Sequence, residues 1–290
     1  MKYCIVYLAS PQESRLTTKQ LRFDMLCKSI QNTTKVFDSI DYYIFHENLD
    51  EEHRNTLKSL HKTNTYFKKL DFVRDDLPFK KFGRPKGYML MCRFFSGELQ
   101  QFLIKEGYDS YIRFDDDSFL LEPILKKEDI EIDMAQNSYI FRSMFIDGQP
   151  KYNNGIPMQS LYDFTCDFVT KKGYSMDQLF PILLKQNFLM HNGLYSGLAP
   201  YNNFHATNLE MWKQPLIEDY IISLQKHNGC LMHFWMDANI HAMILFILCP
   251  LINEQIQVKT NFGYRHNRHF SQLGGLQIIY RNGEDFFPSN

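Results

Sequence analysis

Tyr111-Ile112-Arg113-Phe114-Asp115-Asp116-Asp117-Ser118 is the stretch from which this 290-residue chain is best read. An apolar, β-prone run delivers three consecutive carboxylates at its C-terminal end, where open α/β sheets gather their ligands. Adjacent acids repel one another, and each is costly to bury without a partner. A divalent cation resolves the conflict. Asp115 and Asp117 offer hard oxygen ligands to Mn²⁺ or Mg²⁺, which would in turn bridge a diphosphate. An acidic turn that caps a following helix is the competing explanation, and the position directly after a strand favours the metal.

Upstream, Lys2 to Ala9 reads as a strand, Thr18 to Thr33 as an amphipathic helix, Asp41 to Phe45 as a strand and Glu51 to Leu60 as a short helix. Tyr88 to Lys105 carries a long helical pattern, and Tyr108 to Phe114 is the strand that ends at the aspartates. This β-α-β-α order predicts an α/β protein with a mostly parallel sheet and helices on its faces. Downstream, Ser138 to Phe145 reads as a strand, and Ser160 to Lys171 and Asp177 to Leu189 as helices. Pro200 to Glu210 is polar and irregular at first, and Pro215 to Lys226 and Asp237 to Leu248 look helical. From Ile256 onward, short extended pieces alternate with turns at Gly263 and Gly274-Gly275. No linker divides the chain, so a single domain over residues 1–290 is expected, with an elaborated C-terminal half.

Lys+Arg 32 against Asp+Glu 33 leaves a net charge of -1, without the basic excess that general nucleic-acid binding requires. The six cysteines include no C-x-x-C pair, so a zinc knuckle and a redox motif are both excluded. Buried free thiols are expected at Cys4, Cys92 and Cys249, although an even count leaves a bridge open. Neither the N-terminal run, which passes straight into Pro11-Gln12-Glu13, nor Ile240 to Ile252 reaches the ~20 apolar residues that span a bilayer. No membrane-spanning segment is expected.

Three further clusters carry chemistry. In Phe234-Trp235-Met236-Asp237-Ala238-Asn239-Ile240-His241, Asp237 and His241 share a helix face, and a mere N-cap is the commoner role for such an Asp. Asn261 to His269 holds two arginines and two histidines suited to phosphate neutralisation and a nitrogen ligand, or simply a solvated basic loop. Tyr201-Asn202-Asn203-Phe204-His205-Ala206-Thr207-Asn208-Leu209-Glu210 has the amides and hydroxyls that grip sugars, or that cap the next helix.

In this order the segments resemble the fungal Golgi α-1,2-mannosyltransferase family. Its motifs M-C-R-F-x-S-G, Y-Y-W-R-x-E-P-D, Y-N-x-C-H-F-x-x-N-F-E, W-x-D-A-P-x-H and G-Y-x-H are similar to five stretches here. These are Met91 to Gly97, Tyr111 to Asp117, Tyr201 to Glu210, Trp235 to His241 and Gly263 to His266. The resemblance implies a GT-A fold, with residues 1–125 mainly holding the nucleotide sugar and 126–290 mainly the acceptor. It also implies a Mn²⁺-dependent retaining transferase that moves mannose from GDP-mannose to a glycan hydroxyl. It assigns the metal to Asp115, Asp117 and His266, and the donor to Arg93, Ser96, Asp115, Asp116, Tyr264 and Arg265. Glu210 becomes the nucleophile or reaction-face stabiliser and Asp237 the acid beside the acceptor. Tyr201, Asn202, Asn208, Trp235 and His241 become substrate contacts.

The departures from the family carry alternatives. Asp-Asp-Asp in place of Glu-Pro-Asp is a literal D-x-D, which suits a UDP-sugar such as UDP-xylose or UDP-glucose and an inverting outcome. Asn239 stands where the family has proline, and the family's N-terminal anchor is missing, which points to a soluble cytoplasmic enzyme unless a Golgi anchor has been trimmed away. From other classes, a two-metal phosphoesterase would use Asp115, Asp117, His241 and His266, and an inactive carbohydrate-binding protein would keep the scaffold alone.

Overall fold

The first strand, β1 (Tyr3–Ala9), is buried along its whole length, and its alternation feeds two cores at once. Cys4, Val6 and Leu8 pack into one apolar cluster, and Ile5 and Tyr7 into another on the opposite face. A parallel strand covered on both sides has this continuous apolar signature. The computed structural model describes residues 1–9, 19–72, 76–81, 84–146, 157–259, 261–266, 269–271 and 278–279. Asn267, Arg268 and the Gly274-Gly275 turn of the sequence reading lie outside the described residues.

The chain continues through α1 (Lys19–Phe37), β2 (Asp41–His46), α2 (Glu51–Lys58), β3 (Thr65–Lys69) and α3 (Lys86–Arg93). A π-helical turn (Phe94–Glu98) leads into α4 (Leu99–Lys105), β4 (Ser110–Phe114), β5 (Ser118–Leu121) and α5 (Lys127–Gln136). Next come β6 (Tyr139–Phe141), β7 (Met144–Ile146), α6 (Pro157–Lys171), α7 (Phe180–Lys185), β8 (Leu198–Pro200) and β9 (Phe204–Asn208). Helices α8 (Leu209–Trp212), α9 (Pro215–His227), α10 (Gly229–His233) and α11 (Asp237–Met243) follow, then a second π-turn (Ile244–Leu248) and α12 (Cys249–Leu251). The last described strands are β10 (Ile256–Val258), β11 (Gly263–His266), β12 (His269–Ser271) and β13 (Ile278–Ile279).

The central sheet has seven strands in the order β10-β6-β9-β4-β1-β2-β3. All neighbours pair in parallel except at β9, which runs antiparallel to both β4 and β6. The expected mostly parallel α/β sheet is therefore present, with one reversed strand near its middle. Strands from both sides of residue 125 build it, so that boundary runs through the sheet. A smaller sheet, β12-β11-β5, sits at the aspartate end, and its register sets His266 opposite Ser118. Gly263 is needed there, because a Cβ on it would lie 2.5 Å from the Glu122 carbonyl oxygen. All six cysteines are free thiols, and no helix among the described residues is long and apolar enough to cross a membrane.

Three sequence expectations are sharpened or corrected. The segment from Pro200 to Glu210 is irregular at first, through Tyr201 to Asn203, as expected, but it then supplies the central strand β9. Its buried His205 and Thr207 bond to Tyr111 and to the Ser138 carbonyl, so the strand carries polar side chains where an apolar pattern would have revealed it. Ser138 to Phe145 is two strands in different sheets, broken at Arg142 and Ser143. The expected single helix from Tyr88 to Lys105 is interrupted by the π-turn. Gly97 leaves helical geometry there, and a Cβ on it would lie 2.3 Å from Ile221 Cγ2 on α9. Gly97→Ala should therefore lower stability by about 1–3 kcal/mol through overpacking. Thermal denaturation should show a lower Tm that Ile221→Ala, added in the same chain, partly restores.

Candidate active site

Strand β4 ends where the aspartates begin, and the three carboxylates go two ways. Asp116 turns toward α1, where Arg22 Nη2 and Nε donate to its two oxygens at 3.0 and 3.1 Å. Burial pushes the Asp116 carboxyl up to about 6 against the pull of Arg22, with Asp117 and Asp115 adding to the rise. Asp115 and Asp117 turn instead toward β11. His266 Nε2 lies 2.9 Å from Asp117 Oδ1 and 3.4 Å from Asp115 Oδ2. Burial opposes charge on this imidazole, but its bonds to Asp115 and Asp117 win and raise it well above the ordinary histidine value. On the other ring edge, Tyr201 Oη is 2.7 Å from Nδ1, which fixes the ring so that Nε2 faces the carboxylates.

Arg113 completes the site from beneath. Its Nε and Nη2 donate to Asp115 Oδ1 at 3.1 and 2.9 Å, and its Nη1 donates to Asp237 Oδ2 at 3.0 Å. Asn202 Nδ2 donates to the same Asp237 oxygen at 3.0 Å. The guanidinium carbon lies over the Phe95 ring, 3.4 Å from its centroid, as a cation–π pair. Burial works to raise the Asp115 carboxyl, yet Arg113 and His266 outweigh it and hold the group at about 2. The floor of the site is neutral. His205 Nδ1 donates to the Asn202 carbonyl and Nε2 accepts from Tyr111, while His241 Nε2 donates to the Phe95 carbonyl and Nδ1 accepts from Tyr139. Burial holds His241 down at about 4 and His205 well below its ordinary value.

Of the residues singled out in the sequence, Asp115, Asp117, His266, Tyr201, Asn202 and Asp237 converge here. The rest do not. Glu210 follows β9, and because β9 runs against β4 it emerges beside Asp109, at the far end of the sheet. The length of β4 separates it from Asp115, roughly 20 Å at the usual strand rise. Its side chain is 66% exposed and pairs with Lys213, while Asn208 caps α8 through the Glu210 N–H. Arg93 bonds Glu98, the Gln225 carbonyl and Asn228, and Ser96 bonds the Cys92 carbonyl. Both line a cavity of about 10 Å³ shared with Ile221 and Cys230, room for one water and not for a nucleotide. Trp235 is buried, donating to Ser160 and stacked on His227 and His233. His241 is a satisfied core histidine. Tyr264 bonds Ser118 and Asn203, and Arg265 lies over the Phe119 ring, on the opposite side of β11 from His266.

Sequence reasoning passed over Arg113, Arg22 and Phe95. A lone arginine inside an apolar strand signals a buried charge that must find anions, so Arg113 was findable. Arg22, on a helix that looks like any amphipathic helix, carries no such mark.

Among the described residues, no group of three or more His, Cys, Asp or Glu side chains is arranged to hold a metal ion as it stands. The donor set nevertheless fits one. Two carboxylate oxygens and an imidazole nitrogen meet at one point, the ligand chemistry of Mn²⁺ or Mg²⁺.

Over residues 68–282 the chain matches the glycolipid 2-alpha-mannosyltransferase family, and it belongs to that family. Glycolipid 2-alpha-mannosyltransferase 1 of Candida albicans is 28% identical to it, across 83% of this chain and 59% of the relative. The glycolipid 2-alpha-mannosyltransferase of Saccharomyces cerevisiae is 26% identical, across 64% of this chain and 40% of the relative. The chain thus spans about half the length of these relatives. Its fold is that of core-mannan synthase A from Aspergillus fumigatus in a Mn/GDP form, with a TM-score of 0.74, 14% identity and coverage of 99% of this chain and 79% of that one. It is also that of the mannosyltransferase Ktr4p from S. cerevisiae in complex with GDP, with a TM-score of 0.72, 17% identity and coverage of 91% and 71%.

The Arg22–Asp116 pair makes a testable demand. Arg22→Met leaves the Asp116 carboxyl buried without its counter-charge, which should cost about 2 kcal/mol at pH 7.5, where the group is ionised. Because the Asp116 pKa is raised, the neutral acid dominates below about 6, and the loss should shrink there. Denaturant unfolding of both proteins at pH 5 and pH 7.5 measures the difference.

Proposed function

We propose that the chain is a metal-dependent mannosyltransferase that moves mannose from GDP-mannose to a hydroxyl of a glycan acceptor. The observation that carries this reading is the convergence of Asp115, Asp117 and His266 on one point, with Asp237 held beside them through a shared guanidinium. Family membership supports the sugar, and the GDP in both neighbouring structures supports the donor nucleotide. Charge balance supports a dication: with His266 neutral, a double positive charge added to Arg113 would cancel Asp115, Asp117 and Asp237.

Asp115 Oδ2, Asp117 Oδ1 and His266 Nε2 would hold Mn²⁺ or Mg²⁺, which supplies positive charge to the departing diphosphate. Tyr201 keeps the imidazole edge turned inward for that task. Arg22 ties Asp116 back to α1, so the middle carboxylate of the run does not compete. Asp237 is the carboxylate that orients the acceptor hydroxyl. Its Oδ2 accepts from Arg113 and Asn202, which together hold the carboxylate in place. A 2-alpha-mannoside formed from an α-linked donor keeps its configuration, so the outcome is retention.

Glu210, carried over from the family motif, has no part in this scheme because the reversed strand takes it to the other end of the sheet. The two-metal phosphoesterase reading has little support, since both nitrogens of His241 are engaged in the core.

Assays of donor hydrolysis and of transfer to methyl α-mannoside, with GDP-mannose, UDP-glucose and UDP-xylose, test the proposal. Turnover should appear with GDP-mannose and Mn²⁺ and vanish with EDTA. Asp115→Asn and Asp117→Asn should each lose on the order of 100-fold in kcat while remaining folded. Glu210→Gln should stay within about twofold of the parent, as surface changes do. Undiminished turnover in EDTA, or use of a UDP-sugar alone, would overturn the assignment.

A further inference from the structure

We infer that Arg113 is a positioning residue that sets the metal side and the acceptor side of the site as one unit. The inference deepens the function proposed above and rests on it. Three observations carry it. First, both Nε and Nη2 close on a single oxygen of Asp115, Oδ1, which leaves Oδ2 as the oxygen that meets His266. The guanidinium thereby decides which carboxylate oxygen faces a cation. Second, the remaining nitrogen, Nη1, holds Asp237 Oδ2, so the spacing between Asp115 and Asp237 is set by the rigid planar fork and not by two independent side chains.

Third, the fork itself has no freedom. Arg113 is 3% exposed and its guanidinium lies over Phe95. Phe95 belongs to the π-turn, whose carbonyl accepts from His241 and from Gln100. The Met91 to Gly97 motif therefore acts through its aromatic ring, while Arg93 and Ser96 face away. A side chain that only balanced charge would not need this platform, nor donors on both of its edges. Lysine, a single compact charge on a flexible stem, can neutralise one carboxylate here but cannot span both.

Arg113→Lys and Asp237→Asn, singly and together, test the inference on the full chain. Circular dichroism and melting curves check that each variant folds, and Phe95→Leu, which keeps the guanidinium and removes its ring support, is the milder second probe. Binding of Mn²⁺ alone, followed by loss of the free-ion EPR signal, gives a readout independent of turnover. Arg113→Lys should weaken Mn²⁺ binding on the order of tenfold, the usual effect of losing a partner that orients a ligand. It should also lower kcat for GDP-mannose on the order of 100-fold. Added to Asp237→Asn, it should cost no more than about a further threefold in kcat, because groups acting as a unit are not additive. Phe95→Leu should move both quantities in the same direction by less.

Unchanged Mn²⁺ affinity in folded Arg113→Lys, or full additivity with Asp237→Asn, would overturn the inference and leave the transferase assignment standing. A parent protein that neither binds Mn²⁺ nor turns over GDP-mannose would instead overturn the assignment.

Discussion

Removing a guanidinium from water costs several kcal/mol, and an interior repays that cost only with carboxylates in good geometry. Arg113 meets the condition with carboxylates on both edges and an aromatic face beneath. Four separate parts of the chain had to arrive for this to hold. Strand β4 delivers the arginine, the turn after it delivers Asp115, the head of α11 delivers Asp237, and the π-turn delivers Phe95. The neighbouring His205 and His241 are compatible because burial keeps them neutral. Had His205 or His241 been charged, a second buried cation would sit against the first without an anion of its own.

The carboxylates divide their labour for a related reason. The three adjacent acids lie in the turn that follows β4, where the middle one faces away from the other two and needs its own partner. Arg22 supplies it from α1. The outer two are left to share His266, and the antiparallel pairing of β11 with β5 makes that sharing a matter of strand register. A histidine some 150 residues away in the chain thus reaches the aspartates through backbone pairing, with Tyr201 holding its far edge.

Much of this was legible in the sequence. The apolar run before Asp115, the alternating elements of the first half and the order of the motifs led to the sheet, the aspartates and His266. What failed was direction. A motif states which residues occur together, and says nothing of which way a strand runs. Tyr201, Asn202 and Glu210 belong to one motif, but the first two precede β9 and the last follows it, so the strand itself keeps them apart. Polar residues inside β9 hid it from a pattern search, because His205 and Thr207 are satisfied by neighbours that only the folded sheet supplies. Arg93 and Ser96 failed for a different reason: they line one small cavity with Ile221 and Cys230, while Phe95 between them is the residue that lies against Arg113.

The late arrival of β9 has a cost during synthesis. Its two partners, β4 and β6, lie 60 residues or more ahead of it, and until it emerges from the ribosome each presents an unpaired backbone edge at the middle of a half-built sheet. Such edges are templates for other chains, and pairing across so long a loop is slow to form. A nascent chain stalled short of Asn208 would be among the most aggregation-prone species this protein can make, and the strand that joins the two halves of the sheet is also the seal that makes it safe.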